Sequence, residues 1–314
     1  MNAAAGWLLP RGLHPGDLVG ICAPSGAVDG ARLVAGVSAL EGLGFRVRGS
    51  EGILERALFT AGSPKRRADE LHALFEDPDV AAVFCARGGA GAIELLVHLE
   101  PLLFRRNPKS FVGYSDATLL HSLLNRLGLV TFHGPMVAAE LALGSYDAAA
   151  LGRALCDGQA PWSVEAAGLR PLRAGEARGR LRGGCLSLLA AAIGTGWEPA
   201  PPDPDEGAIL LVEDASEPPY RVHRLLSQLA QSGALRGVGG IVFGEMRGCA
   251  PGADEAYTLE DVLLHALEGF AGPVAIGLPC GHSPSPMLTL PLGAPARLSC
   301  GPEARLDFEG PWLS

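Results

Sequence analysis

Long apolar runs, paired cysteines and lysines are what this 314-residue chain has little of. No apolar stretch reaches the ~18 residues that a membrane-spanning helix needs, so the sequence predicts no contact with a bilayer interior. The N-terminal segment MNAAAGWLLPRGLHPGDLVG lacks the cationic head and apolar stretch of an export leader. The seven cysteines, Cys22, Cys85, Cys156, Cys185, Cys249, Cys280 and Cys300, are odd in number and form no CxxC pair. That pattern argues against a disulfide framework and against a zinc cage, and it fits a reducing, cytoplasmic setting. Lysine occurs only at Lys65 and Lys109, and the formal net charge is −9 with no long basic run. A nucleic-acid duplex is therefore not an expected partner, because binding one requires clustered cations against the phosphates.

What is present is apolar material for two cores: 48% of residues are hydrophobic, in a chain too long for one ordinary domain. In the first half, short apolar runs alternate with helical patterns. DLVGICA, FRVRG, VAAVFCA, KSFVGYS and LVTFH read as strands, and ARLVAGVSALEGLG as a helix ending at Gly44. SPKRRADELHALFED has Ser63 at a cap position and Pro64 at the first helical position. This rhythm predicts an α/β fold, a parallel sheet covered by helices on both faces. Residues 158–178, rich in Gly, Pro and Ala, break the rhythm and are expected to be a linker between an N-terminal α/β domain (1–157) and a smaller mixed domain (179–314). In the second half GRLRGGCLSLLAAAIGTG is expected to be a glycine turn feeding an apolar helix. GAILLVED and VGGIVFGEM are expected strands, PPYRVHRLLSQLAQSG a helix ending at Gly233, and TLEDVLLHALEG one capped by Thr258. MLTLPLGAPARLSC is expected to form a hairpin, and EARLDFEG a final edge strand.

Four places carry candidate chemistry. Ser115 lies between a strand and a helix in VGYSDATLLH. It is either an N-cap or a nucleophile lifted out at the carboxyl end of a parallel strand, with the Asp116 N–H facing a developing oxyanion. The turn RGGAGA (87–92) either closes a tight strand-to-helix connection or presents N–H groups to an oxyanion. Glu213, Asp214 and Glu217 sit between a strand end and a helix start, where carboxylates suit the helix dipole and also suit a group that orients a histidine. Two of eight histidines, His133 in TFHGPM and His282 in LPCGHSPSP, lie where a strand runs into a loop, and each is a candidate general base. No histidine pair at ligand spacing supports a metal.

Together these segments resemble the LD-carboxypeptidases, the muramoyl-tetrapeptide carboxypeptidase family, whose relatives include the microcin C self-immunity hydrolases. The resemblance rests on APSG (23–26), ARGGAGA (86–92), VGYSDATLLH (112–121), FHGPM (132–136), GRLRGGCLSLLAAAIGT (179–195), EDASEPPYRVHRLLSQL (213–229) and GLPCGH (277–282), in one order over nearly the whole chain. It implies a flavodoxin-like N-terminal domain, a smaller mixed C-terminal domain and a homodimer. It implies Ser115 as nucleophile, Glu217, the glutamate before the Pro-Tyr pair, as acid, and His282 as base. The oxyanion donors fall on the N–H groups of Gly89 and Asp116, and Arg87 is a candidate for the substrate carboxylate. No metal or organic cofactor is implied. The implied reaction is removal of the terminal D-Ala from cytoplasmic murein tetrapeptide in peptidoglycan recycling. Three positions depart from the family pattern: Ala90 replaces a Tyr, Cys185 an Asn and His223 an Asp. Two other readings stand beside this one. A microcin-type peptide–nucleotide or acyl-amide hydrolase would stack a base on Trp162 or Trp197, and a non-catalytic two-lobed binding protein would leave Ser115 unreactive.

Overall fold

The computed structural model describes residues 6–198 and 206–314. The first half runs β1 (Leu18–Cys22), α1 (Gly30–Gly42), β2 (Arg46–Gly49), α2 (Pro64–Glu76), β3 (Val80–Cys85), α3 (Ala92–Leu95), α4 (Pro101–Arg106), β4 (Ser110–Gly113), α5 (Thr118–Arg126), β5 (Thr131–His133) and α6 (Ala148–Cys156). Five of its strands are parallel in the order β2-β1-β3-β4-β5. That is the flavodoxin order, with its topological switch point between β1 and β3. All six residues of β3 are buried, as expected for a strand covered on both faces. Ala82 and Phe84 face one core with Val19, Ile21 and Leu40. Val83 and Cys85 face the other, with Leu71, Phe75 and Phe104. The cap signals hold: Ser63 accepts from the Arg66 N–H behind Pro64, and Thr258 forms a reciprocal capping box with Asp261.

The second half supplies β6 (Trp162–Ser163), β7 (Arg170–Arg173), β8 (Gly175–Cys185), α7 (Leu186–Ala191), β9 (Ala208–Glu213), α8 (Pro219–Ser232), β10 (Val238–Gly244), α9 (Leu259–Ala266), β11 (Val274–Leu278), β12 (Leu290–Leu292), β13 (Pro295–Cys300) and β14 (Ala304–Phe308). Its eight-stranded sheet, β6-β14-β13-β8-β9-β10-β11-β7, is parallel at the centre and antiparallel toward both edges.

Three expectations are corrected. The 158–178 segment carries β6 and β7, one at each edge of the second sheet, and the start of β8. The expected glycine turn at 179–184 is the end of the long strand β8, where Gly183 and Gly184 keep positive φ within the ladder. A side chain on Gly184 would put its β-carbon 2.5 Å from Thr118 Oγ1, and Cys185 donates its N–H to that oxygen at 3.0 Å. The missing side chain thus lets α5 lie directly on β8. The expected hairpin at 287–300 is not one. β12 pairs antiparallel with β5 in the first sheet, whereas β13 pairs with β8 and β14 in the second. The true hairpin is β13–β14, and β14 is covered at the margin by β6.

Candidate active site

β4 delivers Tyr114 in extended conformation and then Ser115 at φ +61°. That left-handed turn costs a non-glycine residue roughly 1–2 kcal/mol, so it persists only where the surroundings enforce it. Here they do. Asp116 is buried, and its Oδ2 accepts the Ala92 N–H at 2.7 Å, tying the serine turn to the start of α3. Gly88 packs so closely that a β-carbon on it would stand 2.9 Å from Ser115 Oγ. Neither the short 3₁₀ turn at 115–117 nor α5 has a side-chain cap, so the hydroxyl is not spent at a helix start. Ser115 thus has the strained strand–turn–helix setting of a nucleophile elbow.

The turn after β3 is the second wall. Gly88 O accepts the Gly26 N–H at 3.1 Å, and Arg87 Nη1 donates to Ala27 O at 3.0 Å. Gly89 lies at φ +112°, a conformation that glycine permits. Behind it sits Arg67, fully buried, donating to Pro24 O at 2.6 Å, Gly91 O at 3.0 Å and Gly62 O at 3.2 Å, and paired with Glu94. Sequence reasoning missed this staple, since an arginine inside the polar-looking PKRRADE pattern gives no sign of burial.

The second sheet brings the histidine. His282 follows β11, and its Nδ1 donates to Glu213 Oε2 at 2.8 Å, with its backbone N–H on the same oxygen at 3.0 Å. Nε2 is then left as the unprotonated nitrogen of the neutral ring. Gly281, at φ +64°, is required for this approach, since a β-carbon there would lie 2.2 Å from Glu213 Oε2. Burial pushes the imidazole pKa down. The Glu213 hydrogen bond and charge, with the charges of Asp214 and Glu140, outweigh burial and hold the pKa above the ordinary histidine value. The loop beyond is fastened by Glu245, which accepts from Ser283 Oγ and from Ser285 Oγ at 2.7 Å.

The carboxylate assignment is therefore corrected. The structure brings Glu213, the last residue of β9, to His282. Glu217 stands four residues on, half-buried, and pairs with Arg221 at 3.0 Å in the first turn of α8. Of the other expected site residues, Arg87, Gly89, Ser115 and His282 line one cavity of about 600 Å³ together with Gly88 and Tyr114, whereas Asp116 is buried and does not line it. It opens over the ends of β1, β3 and β4, at the switch point where open α/β sheets bind ligands.

His133 does not join them. It is fully buried, neither ring nitrogen has a hydrogen-bond partner among the described residues, and burial holds its pKa well below the usual value. Tyr114 lies between the two candidate bases, its ring centroid 5.8 Å from His133 and 5.0 Å, edge-on, from His282. The Tyr114 hydroxyl donates to Glu140 Oε1 at 2.8 Å, a contact the sequence did not announce. Trp162 stacks on Phe308 and Trp197 packs against the first-sheet core, and neither lines the cavity. Nor do Ala90, Cys185 or His223. Among the described residues no cluster of three or more His, Cys, Asp or Glu is arranged to hold a metal, and no helix is long and apolar enough to cross a membrane.

Comparison with known proteins places the chain in a family. Residues 19–134 match the LD-carboxypeptidase N-terminal domain and residues 178–298 the LD-carboxypeptidase C-terminal domain. A probable murein peptide carboxypeptidase of Bacillus subtilis is 34% identical, over 92% of this chain and 91% of that protein. The murein tetrapeptide carboxypeptidase of Pseudomonas aeruginosa is 33% identical, over 84% of this chain and 87% of its own length. Among solved structures, the muramoyltetrapeptide carboxypeptidase of Oxalobacter formigenes superposes with a TM-score of 0.83 at 29% identity, covering 95% of this chain and all of that one. The microcin C7 self-immunity protein MccF in complex with glutamyl sulfamoyl guanosine superposes with a TM-score of 0.86 at 25% identity, covering 98% and 100%.

Proposed function

The chain belongs to the LD-carboxypeptidase family of peptidases, and from that premise we propose that it removes the terminal D-Ala of murein tetrapeptide through Ser115, His282 and Glu213. The observation that carries the reading is that His282, bonded to Glu213 at 2.8 Å, lines the same cavity as the left-handed Ser115. His282 Nε2 takes the Ser115 proton as Oγ attacks the carbonyl before the terminal residue. The N–H groups of Gly89 and Asp116 receive the oxyanion, each such donor being worth on the order of 3 kcal/mol in the transition state. His282 passes its proton to the leaving amine of D-Ala, and water, deprotonated by the same imidazole, releases the tripeptide acyl group from the serine. Glu213 fixes the tautomer and stabilises the imidazolium throughout. The setting we propose is cytoplasmic recycling of cell-wall peptides by a homodimer.

The test is mass-spectrometric mapping of a fluorophosphonate probe, followed by assay of murein tetrapeptide beside an aminoacyl-sulfamoyl adenosine. The expected result is labelling at Ser115 and release of D-Ala by the wild type but not by Ser115→Ala. Cleavage of the sulfamoyl adenosine alone would transfer the protein to the microcin-type hydrolases. Absence of labelling with tight peptide binding would make it a binding protein.

A further inference from the structure

The outer end of the active-site cavity is built from residues that folding does not explain. Leu58 is 95% exposed and Phe59 62% exposed, and Leu58 adopts φ +56°. A branched side chain held in a left-handed conformation is strained, and such outliers gather at ligand clamps. The turn that carries them is rigid. Ala57 and Thr60 exchange both backbone hydrogen bonds at 3.0 Å, Thr60 Oγ1 donates to Ala57 O at 2.8 Å, and Phe59 O accepts the Ala27 N–H at 3.0 Å. The apolar knuckle is thus presented by a stapled backbone.

Beside it stand Arg32 from the first turn of α1, Arg56 from the turn itself, and Arg87, all lining the same cavity. Among the described residues none of the three has an ion-pair partner, although the chain as a whole carries a net charge of −9. Among the described residues the only carboxylate lining the cavity is Asp29, and its Oδ1 accepts the Arg32 backbone N–H as the cap of α1. Three guanidinium groups against one occupied carboxylate, in an acidic protein, make a local field that selects anions.

We infer that Arg32, Arg56 and the Leu58–Phe59 knuckle form a specificity subsite for the acyl part of the substrate, reading a free carboxylate carried on an aliphatic stem. Leu58 and Phe59 cover the methylenes while the arginines hold the carboxylate, a planar anion that a guanidinium fork recognises in two-bond geometry. Arg87, tied back to Ala27 O and next in sequence to Gly88, which packs against Ser115, is left for the terminal carboxylate of the leaving residue. The inference rests on the peptidase reading and sharpens it: the preferred peptide carries a free side carboxylate on the acyl side of the scissile bond, not a carboxamide.

The test compares two tetrapeptides that differ only in carrying a free carboxylate or a carboxamide at the end of the aliphatic side chain of the residue that supplies the scissile carbonyl. Wild type is expected to favour the carboxylate by about tenfold or more in kcat/KM, through KM, with the preference shrinking as salt is raised from ~50 mM to ~500 mM. The R32Q/R56Q double variant is expected to bring the two peptides within about twofold of each other. Leu58→Gly relieves the strained turn, so it should raise KM for both peptides while the melting temperature stays level or rises, which a merely structural residue would not do. Equal kcat/KM for both peptides in wild type, or a preference that survives R32Q/R56Q, overturns this subsite and leaves the peptidase reading intact. Cleavage of neither peptide removes both.

Discussion

Gly281→Ala tests the core of the site without touching a reacting group. The backbone at 281 lies at φ +64°, so an alanine there carries roughly 1 kcal/mol of left-handed strain. Its β-carbon would stand 2.2 Å from both Cδ and Oε2 of Glu213, where ordinary contact begins at 3.4 Å. The carboxylate must retreat by about 1.2 Å, which stretches the 2.8 Å bond from His282 Nδ1 to roughly 4 Å, past hydrogen-bond range. A misplacement of ~1 Å costs about 10²-fold in rate, and loss of the orienting carboxylate up to about 10⁴-fold. The expected result is a kcat lower by about 10² to 10⁴ with KM little changed, and a stability loss of about 1–3 kcal/mol in urea titration. Steady-state D-Ala release and the urea midpoint measure the two effects separately. A kcat within about threefold of wild type would show that Glu213 does not orient the base.

Three further outcomes follow from the same geometry. Glu213→Gln is expected to lower kcat by about 10⁴ and Glu217→Gln by less than about tenfold, because only Glu213 touches the imidazole. The base must be unprotonated, and its pKa is held above the ordinary value, so the acidic limb of kcat/KM should lie above pH ~6.5 in wild type. Removing the Glu213 charge should move that limb to lower pH, and an unmoved limb would assign it to another group. His282→Ala should abolish turnover, whereas His133→Ala should act mainly on stability, since His133 is enclosed and lies behind Tyr114.

Much of this arrangement could be read from residue order. The fully buried β3, the Ser63-Pro64 start and the Thr258 cap are local signals, and local signals survive folding. Ser115 was a candidate from its strand–turn–helix setting, but its left-handed φ is a tertiary effect, enforced by Gly88 and by the bond from Ala92 to Asp116. The choice between Glu213 and Glu217 failed for a related reason. Both carboxylates sit near one strand end, and only the close approach at Gly281, nearly seventy positions away, decides which meets the histidine. β12 was misread because MLTLPLGAPARLSC alternates like a hairpin. Its first strand pairs instead with β5, more than 150 positions back. Leu58, Phe59 and the Tyr114–Glu140 bond left no periodic trace, since residues kept for a ligand or for one contact follow no packing repeat.

That exchange of β12 has a mechanical meaning. The segment bearing His282 leaves the second sheet at Leu278 and enters the first at Leu290, so it hangs like a bridge deck anchored on both banks. His282 thus belongs to neither half alone. Any tilting of one half against the other is passed to the segment that carries that imidazole, and severing the chain before Leu290 would strip the sheet that carries Ser115 of its outermost strand.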